Sequence, residues 1–251
     1  MSVALEVGGP LSHVRALLFD TFGTVVDWRE GIARDVTRFL ARYRLKRDAR
    51  EFADAWRARY QPSMELIRRG DRPFTRLDTL HRENLEAVLL SGGANLAEID
   101  PIDLDDLNHA WHRLDPWPDT IAGLSRLRER YVIAPLSNGN IALLTNMAKR
   151  AGLPWDCILG AEVVQAYKPE RDAYLKTADV LGLLPHQCMM VAAHNDDLRA
   201  AHAANLRTAF VLRGTEHGLA QTTDLSAEGP WDIVASDFNG LADALTPRDS
   251  R

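Results

Sequence analysis

Short apolar runs alternate with helical patterns along most of the chain, and this alternation predicts the class of fold. Five runs predict buried strands: Val14–Phe19, Tyr131–Leu136, Cys188–Ala193, Arg207–Leu212 and the weaker Ile233–Ala235. The segments between them place apolar residues on one helical face: Asp119–Arg130, Ile141–Ala151, Asp172–Leu181 and Asp196–Ala204. Strands that alternate with helices indicate an α/β fold, with a Rossmann-like parallel sheet flanked by helices.

The interval between the first two runs differs, because it contains helical patterns and no convincing strand. Three apolar stripes have helical spacing: Ile32, Val36, Phe39, Leu40 and Tyr43; Phe52, Trp56 and Tyr60; Leu104, Leu107, Trp111 and Leu114. The sequence LDPWP at 114–118 is typical of a linker that returns to the sheet. We therefore expect an α-helical cap domain at 28–117, inserted into a core domain made of residues 1–27 and 118–251.

Composition narrows the class of protein. The 251 residues are 46% hydrophobic with a net charge of −5, which favours a folded chain and gives no sign of nucleic-acid binding. No apolar run approaches the roughly 18 residues of a membrane span. Cysteine is limited to Cys157 and Cys188, without metal-type spacing, and this usage fits free thiols in a reducing cytoplasm.

Polar residues follow several of the predicted strands. Asp20 ends the first run, Ser137 and Asn138 end the second, and the sequence HNDD at 194–197 ends the third, while Lys168 lies in a loop. In an open parallel sheet, ligands bind beyond the carboxyl ends of the strands, so these groups are expected to converge. By itself, Asp20 fits two roles: a residue that caps the turn at Gly23, or a carboxylate nucleophile held by the hydroxyl of Thr24.

Four segments carry a family resemblance. They are FDTFGTVVD at 19–27, LSNG at 136–139, YKP at 167–169 and VAAHNDD at 191–197. In this order they resemble the four motifs of the haloacid dehalogenase superfamily, and the likeness covers nearly the whole chain. It is closest to the L-2-haloacid dehalogenases, whose helical cap lies between the first two motifs. The resemblance implies a hydrolase that converts short 2-haloalkanoic acids, such as haloacetates and L-2-halopropionate, to 2-hydroxy acids.

The resemblance also implies a role for each matching residue. Asp20 is the expected nucleophile, Lys168 neutralises it, and Asp197 orients Lys168 and activates water. The expected contacts with the substrate are the following: Ser137 and the backbone amides at Thr21 and Phe22 with the carboxylate, Asn138 and Arg57 of the cap with the halide, and Tyr174 with the wall of the site. An exposed helix arginine without a role in the site is the alternative for Arg57.

The fourth motif departs from the best-known dehalogenases. His194 stands where they have an asparagine, and Asn195 follows at once, so a shift of one residue would restore an amide. Four roles stay open for His194: lining the pocket, bonding Asp197, contacting the halide, or packing as a structural histidine. As in some family members, a histidine here is compatible with a small leaving group such as fluoride.

Two substitutions bear on the branch of the superfamily. Phosphatases need an acid two residues after the nucleophile, where this chain has Phe22, and a carboxylate for Mg²⁺ at the position of Ala193. We therefore expect no metal and no cofactor, with the Lys168 ammonium in place of Mg²⁺. The alternatives are a Mg²⁺-dependent phosphatase, a hydrolase of another C–X bond in a small carboxylic acid, and a non-catalytic binding module. The expected partner is a small haloacid, and a homodimer is the family-like assembly.

Overall fold

The computed structural model describes residues 11–246, so the two ends of the predicted core domain, 1–10 and 247–251, lie outside the described residues. In chain order the strands are β1 (Ala16–Phe19), β2 (Val26–Asp27), β3 (Asp115–Pro116), β4 (Val132–Ser137), β5 (Leu159–Gly160), β6 (Cys188–Ala192), β7 (Arg207–Val211) and β8 (Ile233–Ala235). Six of them form one parallel sheet in the order β5-β4-β1-β6-β7-β8. The predicted α/β fold is confirmed.

The position of β1 explains its composition. It pairs with β4 on one side and β6 on the other, and all four of its residues are fully buried. A central parallel strand is covered by helices on both faces, so its sequence is a continuous apolar run rather than an alternating one. The two-residue strand β5 was not predicted, because so short a segment leaves no periodicity to detect.

Eleven α-helices are found in residues 11–246. They are α1 (Trp28–Arg42), α2 (Ala49–Ala58), α3 (Tyr60–Arg68), α4 (Leu77–Ser91), α5 (Pro101–Asn108), α6 (Thr120–Arg128), α7 (Ile141–Ala151), α8 (Ala161–Val164), α9 (Arg171–Val180), α10 (Asn195–Ala203) and α11 (Phe238–Leu245). The four helices predicted between the strands are confirmed as α6, α7, α9 and α10, with ends that differ by at most two residues. No helix in this part of the chain is long and apolar enough to cross a membrane.

The helical interval begins and ends at a pair of very short strands. β2 and β3 pair in antiparallel fashion, so the chain leaves the sheet and returns to it at neighbouring points. Asp27 caps α1 by accepting a hydrogen bond from the backbone N–H of Glu30 at 3.1 Å. The predicted apolar stripe of Phe52, Trp56 and Tyr60 is buried, but it is divided between two helices: α2 ends at Ala58, and Tyr60 begins α3.

A buried aromatic cluster joins this helical interval to the first loop of the sheet. Phe22 packs edge-on against Trp111, with ring centroids 5.7 Å apart, and Trp111 stacks on His81 at 4.3 Å. Burial lowers the pKa of His81 to about 3, so the ring is neutral and behaves as an apolar aromatic. Phe22 therefore anchors the loop after β1 to the helical interval 28–117.

Candidate active site

Asp20 is the first residue after β1, and the sheet fixes its position. Its backbone N–H donates to the carbonyl of Val191 on β6 at 3.0 Å, which continues the pairing of the two strands. The residue is 7% exposed, and its side chain faces a cavity of about 450 Å³ beyond the carboxyl ends of the strands. This is the position at which ligands bind in open α/β sheets.

The two oxygens of the Asp20 carboxylate have different partners. Oδ1 accepts a hydrogen bond from Nζ of Lys168 at 2.8 Å. Oδ2 accepts one from Oγ1 of Thr24 at 2.8 Å and lies 3.1 Å from Nδ1 of His194. The Thr24 hydroxyl is itself oriented, because the backbone N–H of Ala193 donates to Oγ1 at 2.9 Å. A carboxylate with three donors around it is held in one orientation.

These donors also set the charge of Asp20. Burial disfavours the ionised form, but attraction to Lys168 and the hydrogen bond from His194 outweigh it, so the pKa of Asp20 lies well below its ordinary range. The carboxylate is therefore ionised at neutral pH, which is the state that a carboxylate nucleophile requires.

Lys168 lies between two carboxylates. Nζ contacts Asp20 on one side and Oδ2 of Asp197 on the other, and the backbone N–H of Lys168 donates to Oδ1 of Asn138 at 2.8 Å. Oδ1 of Asp197 accepts a hydrogen bond from the hydroxyl of Tyr174 at 2.6 Å. Burial opposes the charged amine, but attraction to Asp197 and Asp20 outweighs burial and raises the pKa of Lys168. The ammonium is thus a fixed, permanent cation.

At Asp197, burial and neighbouring charges shift the pKa in the opposite direction from that at Asp20. Burial raises the pKa of Asp197, repulsion from Asp20 adds to this effect, and attraction to Lys168 offsets it only in part. A carboxylate with a raised pKa accepts a proton more readily than an ordinary one, which is a property of general bases.

His194 forms a second charged pair at the nucleophile. Its Nε2 lies 2.8 Å from Oε2 of Glu216, a carboxylate with 2% exposure, while Nδ1 faces Asp20. Burial would lower the pKa of His194, but Glu216 and Asp20 together raise it well above its usual value. Of the roles left open from the sequence, the geometry places His194 in the wall of the cavity, and its contacts are with Asp20 and Glu216 rather than Asp197.

Glu216 was missed in the sequence, although a signal for it existed. It lies in the segment RGTEH at 213–217, which follows the carboxyl end of β7. The rule that strand ends carry the ligand-binding residues, which selected Asp20, Ser137 and His194, applies to this strand as well. No pattern in the sequence, however, pairs Glu216 with His194.

Arg57 reaches the cavity from α2. Its guanidinium lies over the ring of Tyr60, 4.1 Å from the centroid, and also near the ring of Trp28 at 5.4 Å. Nη1 is buried, and no residue among 11–246 accepts a hydrogen bond from it. A guanidinium with a buried, unpaired donor, held on aromatic faces beside a cavity, is suited to bind an anion.

The predicted site residues separate into two groups. Those that line the cavity are Asp20, Arg57, Asn138, Lys168, Tyr174, His194 and Asp197. Thr24 lies directly beneath it through its contact with Asp20. Thr21, Phe22 and Ser137 are at most 1% exposed and are not part of the lining, and Oγ of Ser137 accepts a hydrogen bond from the backbone N–H of Gly139 at 3.1 Å.

Asn195 differs from the expectation that its amide would enter the site. Its Nδ2 donates to Oδ1 of Asp224 at 2.9 Å and to the carbonyl of Ser226 at 3.0 Å. Its Oδ1 accepts from the backbone N–H of Glu228 and from Nε1 of Trp231, both at 2.9 Å. The amide is fully used in holding the 224–231 segment, so the proposed one-residue shift was wrong.

Comparison with known proteins agrees with this architecture. The family model of haloacid dehalogenase-like hydrolases matches residues 14–205, and the chain belongs to this family. A crystal structure of a defluorinating L-2-haloacid dehalogenase is 56% identical, with a TM-score of 0.91 over 92% of this chain and 95% of that one. A second L-2-haloacid dehalogenase structure is 43% identical, with a TM-score of 0.88 over 92% and 98% of the two chains. Among curated proteins, the (S)-2-haloacid dehalogenase of Xanthobacter autotrophicus is 30% identical over 141 residues, about half (54%) of each chain.

Proposed function

We propose that this protein hydrolyses short 2-haloalkanoic acids to 2-hydroxy acids through an ester on Asp20. The observation that carries the proposal is the Lys168 ammonium, which bridges the ionised Asp20 carboxylate and Asp197 at the base of the cavity. The similarity to L-2-haloacid dehalogenases over more than nine-tenths of the chain supports the same reaction.

In the first step, one oxygen of Asp20 attacks C2 of the haloacid. A C–O bond forms to the enzyme as the carbon–halogen bond breaks, and the halide leaves with the bonding electron pair. A bound substrate aligned with a fixed carboxylate gains roughly 7–11 kcal/mol over a bimolecular reaction in favourable cases. Arg57, whose Nη1 has no hydrogen-bond acceptor among residues 11–246, would receive the halide together with the amide of Asn138.

In the second step, water attacks Cγ of the Asp20 ester. Asp197 accepts a proton from the water, and its raised pKa suits this role. The bond between Cγ and the Asp20 oxygen that attacked C2 then breaks, and that oxygen leaves with the product and takes a proton from Asp197 to give the hydroxyl of the 2-hydroxy acid. Asp20 is regenerated with one oxygen derived from water, and the overall reaction releases one halide and one proton.

Lys168 supplies the positive charge that the reaction needs. Its ammonium lies between Asp20 and Asp197, and Phe22 and Ala193 have no side-chain oxygen at the positions where a Mg²⁺-dependent relative carries acids. Among residues 11–246, no group of three or more histidine, cysteine or acidic side chains has the arrangement of a metal site. We therefore propose a reaction without a metal or another cofactor, which EDTA tests directly.

We further propose that the helical interval 28–117 acts as a cap over the core formed by 1–27 and 118–251. It contributes Arg57 and Tyr60 to the cavity wall, and Nη1 of Arg68 donates to the backbone carbonyl of Lys168 at 3.0 Å. The cap would thus exclude water around the reacting carbon while the loops of the sheet supply the catalytic groups. The homodimer and the cytoplasmic location stay predictions from the sequence.

Fluoroacetate belongs in the substrate panel. The crystal structure that is 56% identical belongs to a dehalogenase described as defluorinating. We therefore propose that the chain releases fluoride from fluoroacetate as well as chloride from chloroacetate and L-2-chloropropionate.

The test measures halide release from these three acids in the presence of EDTA. We expect release from the native enzyme and none from Asp20→Asn, while Asp172→Asn, which removes an exposed carboxylate on α9, retains activity. Mass spectrometry after a single turnover in H₂¹⁸O should find the label in Asp20. Turnover of p-nitrophenyl phosphate alone, and only with added Mg²⁺, would overturn the proposal in favour of a phosphatase.

A further inference from the structure

The two oxygens of Asp20 are not equivalent, and the difference indicates which one attacks. Oδ2 accepts a hydrogen bond from Thr24 and lies 3.1 Å from Nδ1 of His194, whereas Lys168 is the one donor to Oδ1 among residues 11–246. Since each carboxylate oxygen has two lone pairs, Oδ1 keeps one free for the attack. Oδ2 then becomes the carbonyl oxygen of the ester, and it retains the Thr24 hydroxyl and the His194 N–H as donors.

This arrangement matters for the second step, in which negative charge develops on Oδ2. When water adds to Cγ, the carbonyl electron pair moves onto Oδ2 to give a tetrahedral oxyanion. Two donors already placed about 3 Å from that oxygen need no rearrangement to stabilise it. The stabilisation is greater if one of them is a full cation, because a hydrogen bond to a charged donor is stronger than one between neutral groups.

Glu216 holds the imidazole of His194 in this position. Its Oε2 binds Nε2 of His194 at 2.8 Å, and its Oε1 accepts a hydrogen bond from Nε1 of Trp28 at 2.9 Å. The carboxylate occupies the space beside Gly23, where a Cβ would collide with it. Both oxygens of this buried carboxylate are thus bound by neighbouring side chains, and Gly23 leaves room for it. The surrounding protein therefore fixes the carboxylate in place, unlike the carboxylate of an exposed ion pair.

We propose that Glu216 is a positioning residue that keeps His194 an imidazolium directed at Oδ2 of Asp20, so that His194 and Thr24 form the oxyanion hole for hydrolysis of the aspartyl ester. The proposal rests on the proposed function, because it concerns the second step of that reaction. It gives a role to Glu216, which no sequence motif marked, and it assigns His194 to the hydrolytic step rather than to the halide.

The charges around His194 decide its protonation in the ester. The titratable and charged groups near it are Asp20 and Glu216 in direct contact, His217 at 3.7 Å from Glu216, Arg57 across the cavity, and the Lys168–Asp197 pair on the far side of Asp20. Esterification removes the charge of Asp20. Among the described residues, Glu216 is then the one anion in direct contact with His194, and this contact keeps the imidazole protonated.

The step balances without a further reactant. Water supplies the oxygen that bonds to Cγ, and its proton passes to Asp197. The oxyanion at Oδ2 then returns its electron pair to the carbonyl as the bond from Cγ to Oδ1 breaks, and Oδ1 leaves as the product hydroxyl after taking a proton from Asp197. His194 donates a hydrogen bond throughout and keeps its proton, so the imidazolium is unchanged at the end of the cycle.

The first experiment separates the two steps in Glu216→Gln by rapid quench under single turnover. We expect a halide burst within about threefold of the native rate and 2-hydroxy acid formation slowed about 10- to 100-fold, so that the ester on Asp20 accumulates and is seen by mass spectrometry. Glu228→Gln is the matched control, since it neutralises an exposed glutamate that pairs with Arg199 at 2.7 Å. Equal slowing of both steps, or of neither, would overturn the proposal.

The second experiment uses pH, which a purely structural role would not shift. Glu216 raises the pKa of His194, so its removal lowers that pKa, and the alkaline limb of the kcat profile should move to lower pH. An alkaline limb at the native position in Glu216→Gln would contradict the role assigned to Glu216. Glu228→Gln should leave the limb in place.

A double-mutant cycle provides the third readout and controls for folding. His194→Asn alone leaves Glu216 as a buried charge without its partner, and the double variant His194→Asn, Glu216→Gln removes that charge. We expect Glu216→Gln to slow ester hydrolysis strongly in the native background and less than twofold beside His194→Asn. Additive losses in correctly folded variants would refute the proposal. If the native enzyme releases no halide and forms no ester, the proposed function itself fails, and this outcome is distinct from the others.

Discussion

Nζ of Lys168 lies 2.8 Å from Oδ1 of Asp20 and simultaneously contacts Asp197, although Asp20 follows β1, Lys168 lies in the loop before α9 and Asp197 lies in the first turn of α10. One buried ammonium therefore neutralises the nucleophile and the base together. Two unscreened carboxylates at this spacing would repel each other and favour protonation of one of them. The bridging lysine is what allows both to act at the same pH.

The first prediction concerns Lys168→Met, which keeps the length of the side chain and removes its charge. Halide release should fall about 10²- to 10³-fold at neutral pH. Attraction to Lys168 lowers the pKa of Asp20 against the effect of burial, so its loss raises that pKa, and the acidic limb of the rate profile moves to higher pH. Initial rates across a pH series measure both effects. Lys176→Met, on an exposed lysine of α9, should leave the profile unchanged.

The second prediction concerns the contribution of a buried ion pair near the site to the stability of the fold. Arg213 donates to both oxygens of Asp119 at 2.7 and 2.9 Å and to the backbone carbonyl of Thr24 at 2.9 Å. Asp119→Asn breaks this pair while the guanidinium stays buried, and should lower the free energy of unfolding by about 3–5 kcal/mol. Urea denaturation measures the change, and Asp243→Asn, at the exposed pair with Arg126, is its control. A loss equal to that of the control would contradict the prediction.

The same pair has a pH dependence with a definite sign. Burial raises the pKa of Asp119, but the hydrogen bond and charge of Arg213 outweigh burial, and the folded-state pKa lies below the ordinary value. Its contribution is therefore present above the ordinary pKa of an aspartate and is lost as the pH falls through the folded-state value. The difference in stability between the native protein and Asp119→Asn should accordingly shrink in acid.

The sequence predicted the sheet well because its central strands are buried on both faces. Runs such as Val14–Phe19 and Cys188–Ala193 are continuous and are followed by polar residues, so the positions of the strands could be predicted. The same runs indicated the edge of the sheet at which Asp20, Asn138 and His194 meet. The break between α2 and α3 could not be predicted, because the apolar spacing from Trp56 to Tyr60 is that of an unbroken helix.

The errors within the site have a different cause. Asn195 and His194 are adjacent polar residues after the same strand, and the sequence cannot say which one faces the cavity. The choice is made by residues far along the chain, since Asp224 binds the amide of Asn195 and Glu216 binds the imidazole of His194. Pairings across a separation of more than 20 residues depend on loop conformation, which leaves no periodic signal.

The third prediction uses two glycines with similar backbone angles. Gly23 has φ of +90° and Gly152 has φ of +71°, so an alanine at either position is strained by roughly 1–2 kcal/mol. A Cβ at Gly152 meets no atom within 4 Å, whereas a Cβ at Gly23 collides with the carboxylate of Glu216. Gly23→Ala should therefore destabilise the fold more than Gly152→Ala, and should also slow the enzyme. Urea denaturation and halide release measure the two effects, and equal behaviour of the two variants would contradict the prediction.

The last prediction concerns Arg57, where the buried Nη1 has no partner in the described part of the chain. If Arg57 binds the departing halide, Arg57→Ala should lower kcat about 10²-fold and also weaken product inhibition by added chloride or bromide, because both depend on one anion site. Arg57→Lys should restore little, since an ammonium lacks the planar guanidinium that lies 4.1 Å over the ring of Tyr60. The control is Arg59→Ala, an exposed arginine two residues further along. If Arg57→Ala loses activity but keeps the native inhibition by added halide, the departing halide binds elsewhere. The transition-state stabilisation lost in this variant would then not come from the site that binds the released halide.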